Sequence, residues 1–455
     1  MSAALVLAGA LIALMTAVEV LQLRRVRRVT FLSAVHLLIA IGYCLPAFFI
    51  ALLPGTRWAV ETISRGGPNP WGTRFYILDL FDHLNLAEGA FISAGIILLG
   101  AYAALLAGYF VVRPHAPKPL NGRALPRNGL IAGGITLGGI AFASMIVYAS
   151  QFDGVSDLIS SGLYVRRGTD QVRWGYLQVL AQVGLPAFLI LTASALRLNG
   201  WPRAALAAAA ALIWAVTAVR VLHVAGRLEI AAFLVIPLLA WAFVARSQIK
   251  AAVVTAALGA LALFVAGLDT TSFRDLAANA GVELAALASH LTGKILFMLT
   301  YLGFPHVAAA HTLTVVPNVI DFRYFVDIPL GALYMLPNFS GVETLPPMIL
   351  SLHVALLPWI PVDLFSFGYY SLGTVGVLII FAAFGAVLAL FDGWLTESAG
   401  WLGQALRAAW LFYLPFRLFY ADPYASAQVG FGLITATVVL AGLAWWPGQK
   451  TRDLP

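Results

Sequence analysis

Charged side chains are scarce in this chain, and their scarcity excludes a soluble protein. Only 10% of the 455 residues are Asp, Glu, Lys or Arg, whereas an ordinary soluble domain has about 25%. Apolar residues make up 61% of the chain, and the mean hydropathy is +0.90. Too few polar side chains remain to cover a surface that faces water. The composition predicts an all-α, polytopic integral membrane protein in contact with the lipid bilayer.

Cysteine and the common nucleotide-binding motifs are also lacking. Cys44 is the single cysteine, which excludes an intrachain disulfide and a cysteine metal site. There is no GxxxxGK[ST], no GxGxxG that opens a helix after a strand, no HExxH and no GxSxG. These motifs carry ATP, dinucleotide, zinc-protease and serine-hydrolase chemistry. Those functions have no support, and we expect neither a cofactor nor a bound metal.

What the chain has instead is a series of long apolar runs. About 20 apolar residues cross a bilayer core of about 30 Å. We predict eleven spans: 2–23, 29–53, 86–112, 129–150, 175–196, 204–222, 227–245, 251–268, 371–390, 405–421 and 424–446. The first run is followed by Arg24 and Arg25 and not by a cleavage site, so we expect it to be retained. All spans are predicted to form one transmembrane domain, 1–455.

The distribution of Lys and Arg predicts the orientation of these spans. Connections such as 24–28 and 113–127 are rich in basic residues, which are retained on the cytoplasmic side. The N-terminus is then outside and the C-terminus inside. The net charge of +7 reflects this asymmetry, and we expect no nucleic-acid partner.

The longest outer segment, 269–370, is predicted to be a large outer loop that is partly embedded in the membrane. It is apolar for a loop, with histidines and prolines interrupting its hydrophobic stretches. Helices that lie on the outer leaflet or dip into it fit this pattern. The alternative is that 282–304 is a twelfth span. In that case Arg323 and Asp327 lie on the cytoplasmic side.

The densest group of ionisable residues lies between two apolar runs. Arg220, His223, Arg227 and Glu229 occur within 220–229. The first three share one helix face by their spacing, and charges at membrane depth are costly enough to indicate a functional site. The alternative is that they are interfacial residues that extend to lipid headgroups, with Arg227 paired to Glu229.

Three further groups contain arginines at the outer ends of spans, where bidentate binding of phosphate is possible. The groups are Arg166, Arg167 and Arg173; Arg323 and Asp327 among aromatic residues; and Arg417 with Asp422. Interfacial anchoring, packing and an Arg417–Asp422 ion pair are the respective alternatives. Asp79 and Asp82 are spaced to ligate a divalent metal, or equally to begin a solvated helix.

The order of these features resembles the bacterial O-antigen or oligosaccharide repeat-unit polymerases, the Wzy-type family. The aromatic and glycine-rich stretch 363–378 is similar to the family's entry into a span after the large periplasmic loop. Gly226-Arg227, the segment 322–329 and the segment 417–422 are similar to the family in position. The resemblance extends from about residue 151 to the end.

The resemblance implies transfer of a growing glycan from undecaprenyl pyrophosphate to the next lipid-linked repeat unit at the periplasmic face, with a chain-length regulator as a possible partner. We assign Arg227 and Arg220 to pyrophosphate, and Glu229 or His306 to the general base. Lipid-linked phosphates or other parts of the substrate are assigned to the remaining candidates: Arg166, Arg167, Arg173, His223, Arg323, Asp327 and Arg417.

Two other functions stay open at this stage. One is another lipid-linked glycosyltransferase: an O-antigen ligase, or a metal-dependent enzyme that uses Asp79 and Asp82. The other is a flippase or secondary transporter, for which we expect ionisable residues inside the spans and broken helices in matched halves.

Overall fold

The computed structural model describes nine segments of the chain: 2–26, 29–51, 86–113, 127–166, 174–224, 227–244, 302–334, 362–395 and 401–445. Within them the chain is helical, and they contain no β-strand. This confirms the predicted helical class. The predicted span 251–268, residues 282–301 of the possible twelfth span and the outer segment 54–85 lie outside the described residues.

The first half of the chain contributes ten α-helices in the described segments. They are α1 Ser2–Val26, α2 Phe31–Ile39, α3 Leu45–Ala51, α4 Glu88–Val112, α5 Arg127–Ala149, α6 Val155–Arg166, α7 Gly175–Leu180, α8 Gly184–Ala195, α9 Trp201–Val224 and α10 Arg227–Val244. A π-helical turn, Ala40–Cys44, joins α2 to α3, and a 3-10 turn, Ala181–Val183, joins α7 to α8.

The second half contributes five α-helices in the described segments. They are α11 Phe304–Val315, α12 Asp327–Tyr334, α13 Leu364–Leu395, α14 Trp401–Tyr413 and α15 Pro423–Trp445. Helices α11 and α12 are too short to cross a bilayer, as expected for helices of the 269–370 segment.

Seven of the described helical stretches are long and apolar enough to cross a membrane. They are Ala3–Arg25, Phe31–Phe48, Glu88–Val112, Asn128–Ala149, Gly175–Ala195, Trp201–Val224 and Leu364–Leu395. Each corresponds to a predicted span. The chain is therefore a multi-pass membrane protein, while the full number of eleven spans is not confirmed.

Three predicted spans differ from the described helices. The apolar parts of α10 and α15 are shorter, Glu229–Phe243 and Ser426–Gly442. The window 405–421 is not one helix, because α14 ends at Tyr413 and a 3-10 turn, Pro415–Leu418, follows. Pro415 has no N–H to continue the α-helical hydrogen bonds, and hydropathy alone did not show this break.

Helix α2 begins where side chains satisfy its first N–H groups. Thr30 and Ser33 form a reciprocal capping box. The Phe31 N–H donates to both carboxylate oxygens of Asp392 at 3.1 and 3.2 Å, and Tyr109 donates to the same carboxylate at 2.5 Å. Because free N–H groups at a helix start need acceptors, this buried carboxylate joins α2, α4 and α13.

The chain divides into two compact units, each built from several sequence segments. Unit 1 consists of Met1–Pro117, Leu263–Gly393 and Tyr413–Ser426. Unit 2 consists of Lys118–Ala262, Trp394–Phe412 and Ala427–Pro455. In unit 2, apolar residues of α8, α10 and α14 form one buried cluster that includes Leu189, Ile236 and Ala405.

Candidate functional site

Two of the predicted groups meet in unit 1, at the beginning of α13. The Arg323 N–H donates to the Tyr370 carbonyl oxygen at 2.9 Å, and the Ala421 N–H donates to the Val362 carbonyl oxygen at 2.7 Å. The segment 321–327 is therefore held by the first turns of α13, and the segment 417–422 is held by the residue just before that helix. Their proximity comes from tertiary structure, because about a hundred residues separate them in the chain.

A break in α13 makes this attachment possible. Leu372 (φ −156°, ψ 33°) and Gly373 (φ 61°, ψ −149°) have non-helical backbones. A break leaves preceding carbonyl groups without their helical donors. The carbonyls of Tyr370 and Ser371 accept instead from the N–H groups of Arg323 and Tyr324, at 2.9 and 2.8 Å. The backbone of Gly373 thus determines where the segment 321–327 is held.

Arg323 and Asp327 form a bidentate ion pair within this segment. Arg323 Nε donates to Asp327 Oδ2 at 2.8 Å, and Nη2 donates to Oδ1. Asp327 is fully buried, and its hydrogen bonds raise the pKa of Arg323. The carboxylate also begins α12, where a negative charge suits the helix dipole. Both predicted substrate-binding side chains are therefore engaged with each other.

The aromatic residues around this pair face in two directions. Phe322 and Phe325 pack against a buried cluster that contains Phe367 and Tyr370, whereas 71% of Tyr324 is exposed. Tyr324 and Phe325 have positive φ angles of 51° and 59°, which are unusual for bulky residues. The turn therefore presents one aromatic ring outward beside the Arg323–Asp327 pair.

Arg417 lies in the second segment. Its guanidinium group stacks on the Tyr413 ring at 4.3 Å, and Nη1 donates to Ser426 Oγ at 3.4 Å. The side chain is buried, and burial lowers the pKa of Arg417. Asp422 lies in electrostatic range of Arg417 and accepts from the Tyr424 N–H at 2.9 Å. The alternative of an Arg417–Asp422 ion pair, which the sequence left open, stays a prediction.

Asp363 is a buried carboxyl group that the sequence predictions did not include among the site residues. It precedes α13 and accepts from the Ser366 N–H at 3.0 Å and from Tyr43 at 3.3 Å. Burial raises the pKa of Asp363 to about 7, although these hydrogen bonds by themselves lower it. An Asp followed by Ser three residues later before an apolar run is a helix-start pattern, and that pattern was the available signal.

The group around Arg220 lies in unit 2 and is internally paired. Arg220 donates from Nη1 to Glu229 Oε2 at 3.0 Å and from Nη2 to Oε1 at 3.4 Å, and its Nε donates to the Gln178 carbonyl oxygen. Arg227 is the first residue of α10, and the structure does not describe its side chain. Glu229, a predicted base, therefore has Arg220 as its partner.

His223 is enclosed by its neighbours in unit 2. The ring is fully buried, Tyr148 hydrogen-bonds to Nε2 at 2.8 Å, and Nδ1 is 2.5 Å from the Leu158 carbonyl oxygen. Gly162 of α6 lies directly against the His223 backbone, because an added Cβ would be 1.7 Å from its carbonyl oxygen. Both ring nitrogens are thus engaged in joining α5, α6 and α9.

His306, the other predicted base, lies in unit 1. Its ring stacks on Phe91 at 5.1 Å and lines a small, mainly apolar pocket. Burial lowers the pKa of His306 to about 4, so the imidazole is neutral near pH 7. Since Arg227 and Glu229 belong to unit 2, the predicted catalytic residues are divided between the two units.

The remaining predicted site residues are only partly described. Arg166 is the last residue of α6, and its side chain lies outside the description. Arg167, Arg173, Asp79 and Asp82 lie outside the described residues altogether. Among the residues that the structure does describe, no three His, Cys, Asp or Glu side chains are grouped so that they could hold a metal ion.

A second polar network, also missed from sequence, lies inside the spans of unit 1. His36 Nδ1 is 2.9 Å from Glu19 Oε2, and His36 Nε2 is 2.9 Å from the Tyr102 hydroxyl. Ser33 donates to Glu19 Oε1 at 2.6 Å. These side chains join α1, α2 and α4 through polar contacts at membrane depth, where ionisable groups are costly.

No family model, no curated protein and no solved structure matches this chain. The resemblance to repeat-unit polymerases depends on the motifs and the arrangement of spans described above, and it stays a prediction.

Proposed function

We propose that this chain polymerises undecaprenyl-pyrophosphate-linked oligosaccharide repeat units at the periplasmic face of the bacterial inner membrane. The observation that supports it most is the cluster in unit 1, where Arg323 and Asp327 of one segment and Asp422 of a distant segment lie around Tyr370. In a membrane protein, a buried polar site beside an exposed aromatic ring suits a substrate that contains lipid, phosphate and sugar.

The reaction needs no nucleotide. A hydroxyl group of one lipid-linked unit attacks the anomeric carbon of the other, and the bond from that carbon to the pyrophosphate breaks. The hydroxyl proton passes to a base, and the pyrophosphate remains on its lipid as the leaving group. Cationic side chains stabilise the charge that develops on the leaving phosphate, and the sugar–pyrophosphate bond supplies the free energy.

The base for this reaction is assigned to Glu229 or His306, as the sequence predicts. His306 is neutral near pH 7 because of its low pKa, so a ring nitrogen is free of a proton. Glu229 is paired with Arg220. A base must lie within hydrogen-bond reach of the hydroxyl group, so separate replacement of the two residues discriminates between them.

The first test is deletion of the gene in its native host, followed by gel analysis of the surface polysaccharide. We expect a ladder to collapse to the core-plus-one-unit band and to be restored by the wild-type gene. Arg227→Ala and Arg323→Ala should fail to restore it, whereas Arg203→Ala, a substitution in a predicted cytoplasmic connection, should restore it fully. A ladder of normal length in both Arg227→Ala and Arg323→Ala strains would contradict the proposed site.

The same experiment separates polymerase from ligase. A ligase deletion leaves polymer attached to undecaprenyl carrier and absent from lipid A, whereas a polymerase deletion leaves single units. Extraction of the lipid-linked fraction and measurement of its glycan length therefore distinguishes the two enzymes.

A transporter is the second candidate, and one observation favours it. The Glu19–His36–Tyr102 network places ionisable groups inside spans of unit 1, as transport sites require. If the chain is a flippase, Glu19→Gln should cause lipid-linked single units to accumulate on the cytoplasmic side. An unchanged distribution of units between the two leaflets in that variant removes this candidate.

A further inference from the structure

The polar network of Glu19, His36 and Tyr102 uses both nitrogens of one buried histidine ring. His36 Nδ1 is 2.9 Å from Glu19 Oε2, and His36 Nε2 is 2.9 Å from the Tyr102 hydroxyl oxygen. The other carboxylate oxygen, Glu19 Oε1, accepts from the Ser33 hydroxyl group at 2.6 Å. His36 is buried, and Tyr102 is fully buried. The ring and the carboxylate are therefore held in one fixed arrangement between α1, α2 and α4.

These three side chains lie well inside the membrane-crossing stretches that carry them. Glu19 lies six residues before the end of its stretch, His36 five residues after the beginning of its stretch, and Tyr102 ten residues before the end of its stretch. A helix rises about 1.5 Å per residue, which places the three side chains about 8–15 Å from those ends. Ionisable side chains at such a depth are costly, and this cost indicates a function.

The arrangement can take up a proton without movement of a heavy atom. When the His36 ring is neutral, Nδ1–H donates to Glu19 and Nε2 accepts from the Tyr102 hydroxyl group. After proton uptake, Nε2–H donates to the Tyr102 oxygen, and the hydroxyl hydrogen rotates away. A tyrosine hydroxyl group serves in both roles because it is a donor and an acceptor, and both ring nitrogens of a protonated histidine are donors.

Proton uptake also changes the net charge of the pair. With a neutral ring, Glu19 and His36 together carry the single negative charge of the carboxylate. With the proton bound, they form an ion pair across 2.9 Å that has no net charge. An uncompensated charge is expensive in a medium of low dielectric constant. The proton therefore removes an uncompensated charge from the interior of unit 1.

The other titratable and charged groups on the elements around α2 are described in contacts of their own or lie at helix ends. They are Asp392 of α13, which accepts from the Phe31 N–H and Tyr109; Tyr43 of the π-helical turn, which donates to Asp363; Cys44 of the same turn, a buried thiol; Arg417, which contacts Tyr413 and Ser426; Arg113, which lies over the Tyr109 ring; and the exposed Arg24 and Arg25. Among the described residues, Glu19 and Tyr102 are thus the titratable side chains that hydrogen-bond to the His36 ring.

We propose that Glu19 and His36 together bind one proton inside unit 1, with the Tyr102 hydroxyl group as the partner that changes between donor and acceptor. The proton comes from a hydronium ion and returns to water, so no further reactant is required. The Glu19 side chain is 23% exposed, so its carboxylate can be reached from outside the packed helices. The inference goes beyond the proposed polymerisation, which takes no proton from this network.

The test is nitrogen-15 NMR of the purified full-length chain in lipid nanodiscs, with nitrogen-15 in the histidine rings. The His36→Gln variant identifies the His36 signal among those of the eight histidines. Nitrogen shifts distinguish the two neutral tautomers from the doubly protonated ring. We expect the His36 ring to change from doubly protonated to neutral between about pH 5 and about pH 9, with the hydrogen of the neutral ring on Nδ1.

The Glu19→Gln variant tests the contribution of the carboxylate. It keeps the shape of the side chain but removes its charge, and we expect the proton affinity of His36 to fall about tenfold or more. Asp157→Asn, which removes an exposed acid of α6, is the control and should leave this affinity unchanged. His311 is the internal reference, because its buried ring nitrogens have no hydrogen-bond partner, and its signal should not respond to Glu19→Gln.

Two results overturn the proposal: a His36 ring that keeps one protonation state over the whole pH range, and a proton affinity that Glu19→Gln leaves unchanged. If circular dichroism shows that Glu19→Gln is unfolded, the wild-type titration still decides. The sample contains no lipid-linked glycan, so this result is separate from the proposed function. Proton uptake at His36 together with an unchanged polysaccharide ladder after gene deletion supports the proton site and removes the polymerase, whereas a lost ladder without proton uptake does the reverse.

Discussion

At the scale of single residues, the structure shows which ionisable groups are held by neighbours and which are not. Arg220 is paired with Glu229, Arg323 is paired with Asp327, and both rings of the Tyr148–His223 pair are packed together. Two nitrogens of the Arg417 guanidinium group are not held in this way. The types and spacing of the residues predicted these positions except Tyr148, but they do not reveal which residue has a partner.

The Arg323–Asp327 pair should show strong coupling between its two residues. Arg323→Met leaves the fully buried Asp327 carboxylate without its cation, and we expect a loss of about 3–5 kcal/mol in stability. The double variant Arg323→Met with Asp327→Leu should recover much of this loss, because no buried charge remains. Denaturation of the purified variants measures the coupling, and additive effects of the two single substitutions would show that the pair is not buried as described.

Asp363 should make stability depend on pH in a defined window. Its pKa is raised from 3.8 to about 7 in the folded state, so the folded protein binds the proton more tightly than the unfolded chain. Stability therefore falls as pH rises from 4 to 7 and changes little above that range. Asp363→Asn, which cannot ionise, should remove this fall.

The apparent melting temperatures of wild type and Asp363→Asn are compared at pH 5 and pH 8. His306 acts in the opposite direction, because its pKa is lowered to about 4 and its contribution is lost as pH falls. The difference in melting temperature between wild type and Asp363→Asn therefore gives the contribution of Asp363 to stability. A difference that is independent of pH would contradict the burial of this carboxyl group.

At the scale of elements, the break in α13 is the feature that builds the site. In an unbroken helix the carbonyls of Tyr370 and Ser371 accept hydrogen bonds from N–H groups of the same helix. The N–H groups of the segment 321–327 would then have no acceptor on α13. Gly373 permits the break, because its backbone angles are nearly restricted to glycine. The break in α13 and the position of the site therefore both depend on Gly373.

Gly373→Ala should detach the site from α13. The substitution disfavours the observed backbone, and we expect loss of polymer in the complementation strain together with faster protease cleavage in the segment 320–334. Gly9→Ala is the control, because Gly9 lies in α1 with nothing within 4 Å of an added Cβ, and it should behave as wild type. Full activity of Gly373→Ala would show that the break is not required.

At the scale of the whole molecule, the orientation of the chain decides whether the unit 1 cluster can meet periplasmic substrates. The eleven-span prediction places the segment 321–327 outside, whereas a twelfth span at 282–304 places it inside. Tyr324 is 71% exposed and Trp201 is 81% exposed, so cysteines at these positions report on the two sides of the membrane. Removal of Cys44, which is buried, makes each reporter the only thiol.

We expect Tyr324→Cys, in a Cys44→Ala background, to react with a membrane-impermeant maleimide added to cells with a permeabilised outer membrane. Trp201→Cys, which lies in a predicted cytoplasmic connection, should react only after the inner membrane is opened. Reaction of neither residue before opening would place Tyr324 inside and favour the twelve-span alternative.

The amino-acid sequence by itself determined that this is a helical membrane protein, and it located the seven spans that the structure describes. The length of an apolar run can be read directly from the sequence, and a helix satisfies its backbone hydrogen bonds within itself. Both the position of a span and its helical structure therefore depend on local sequence. The Arg220 group was also recognisable, because its members are close in sequence.

Tertiary structure alone decided the composition of the candidate site. Arg323 and Arg417 lie about a hundred residues apart, and only a break in α13 and the Ala421–Val362 hydrogen bond bring their segments to one place. Hydrophobic periodicity describes which face of a helix is buried, but not which distant segment covers that face. The sequence shows the helix-start pattern at Asp363, but not that its carboxyl group is buried or that two nitrogens of Arg417 are buried without a hydrogen-bond partner, because burial and the presence of a partner are properties of the packed chain.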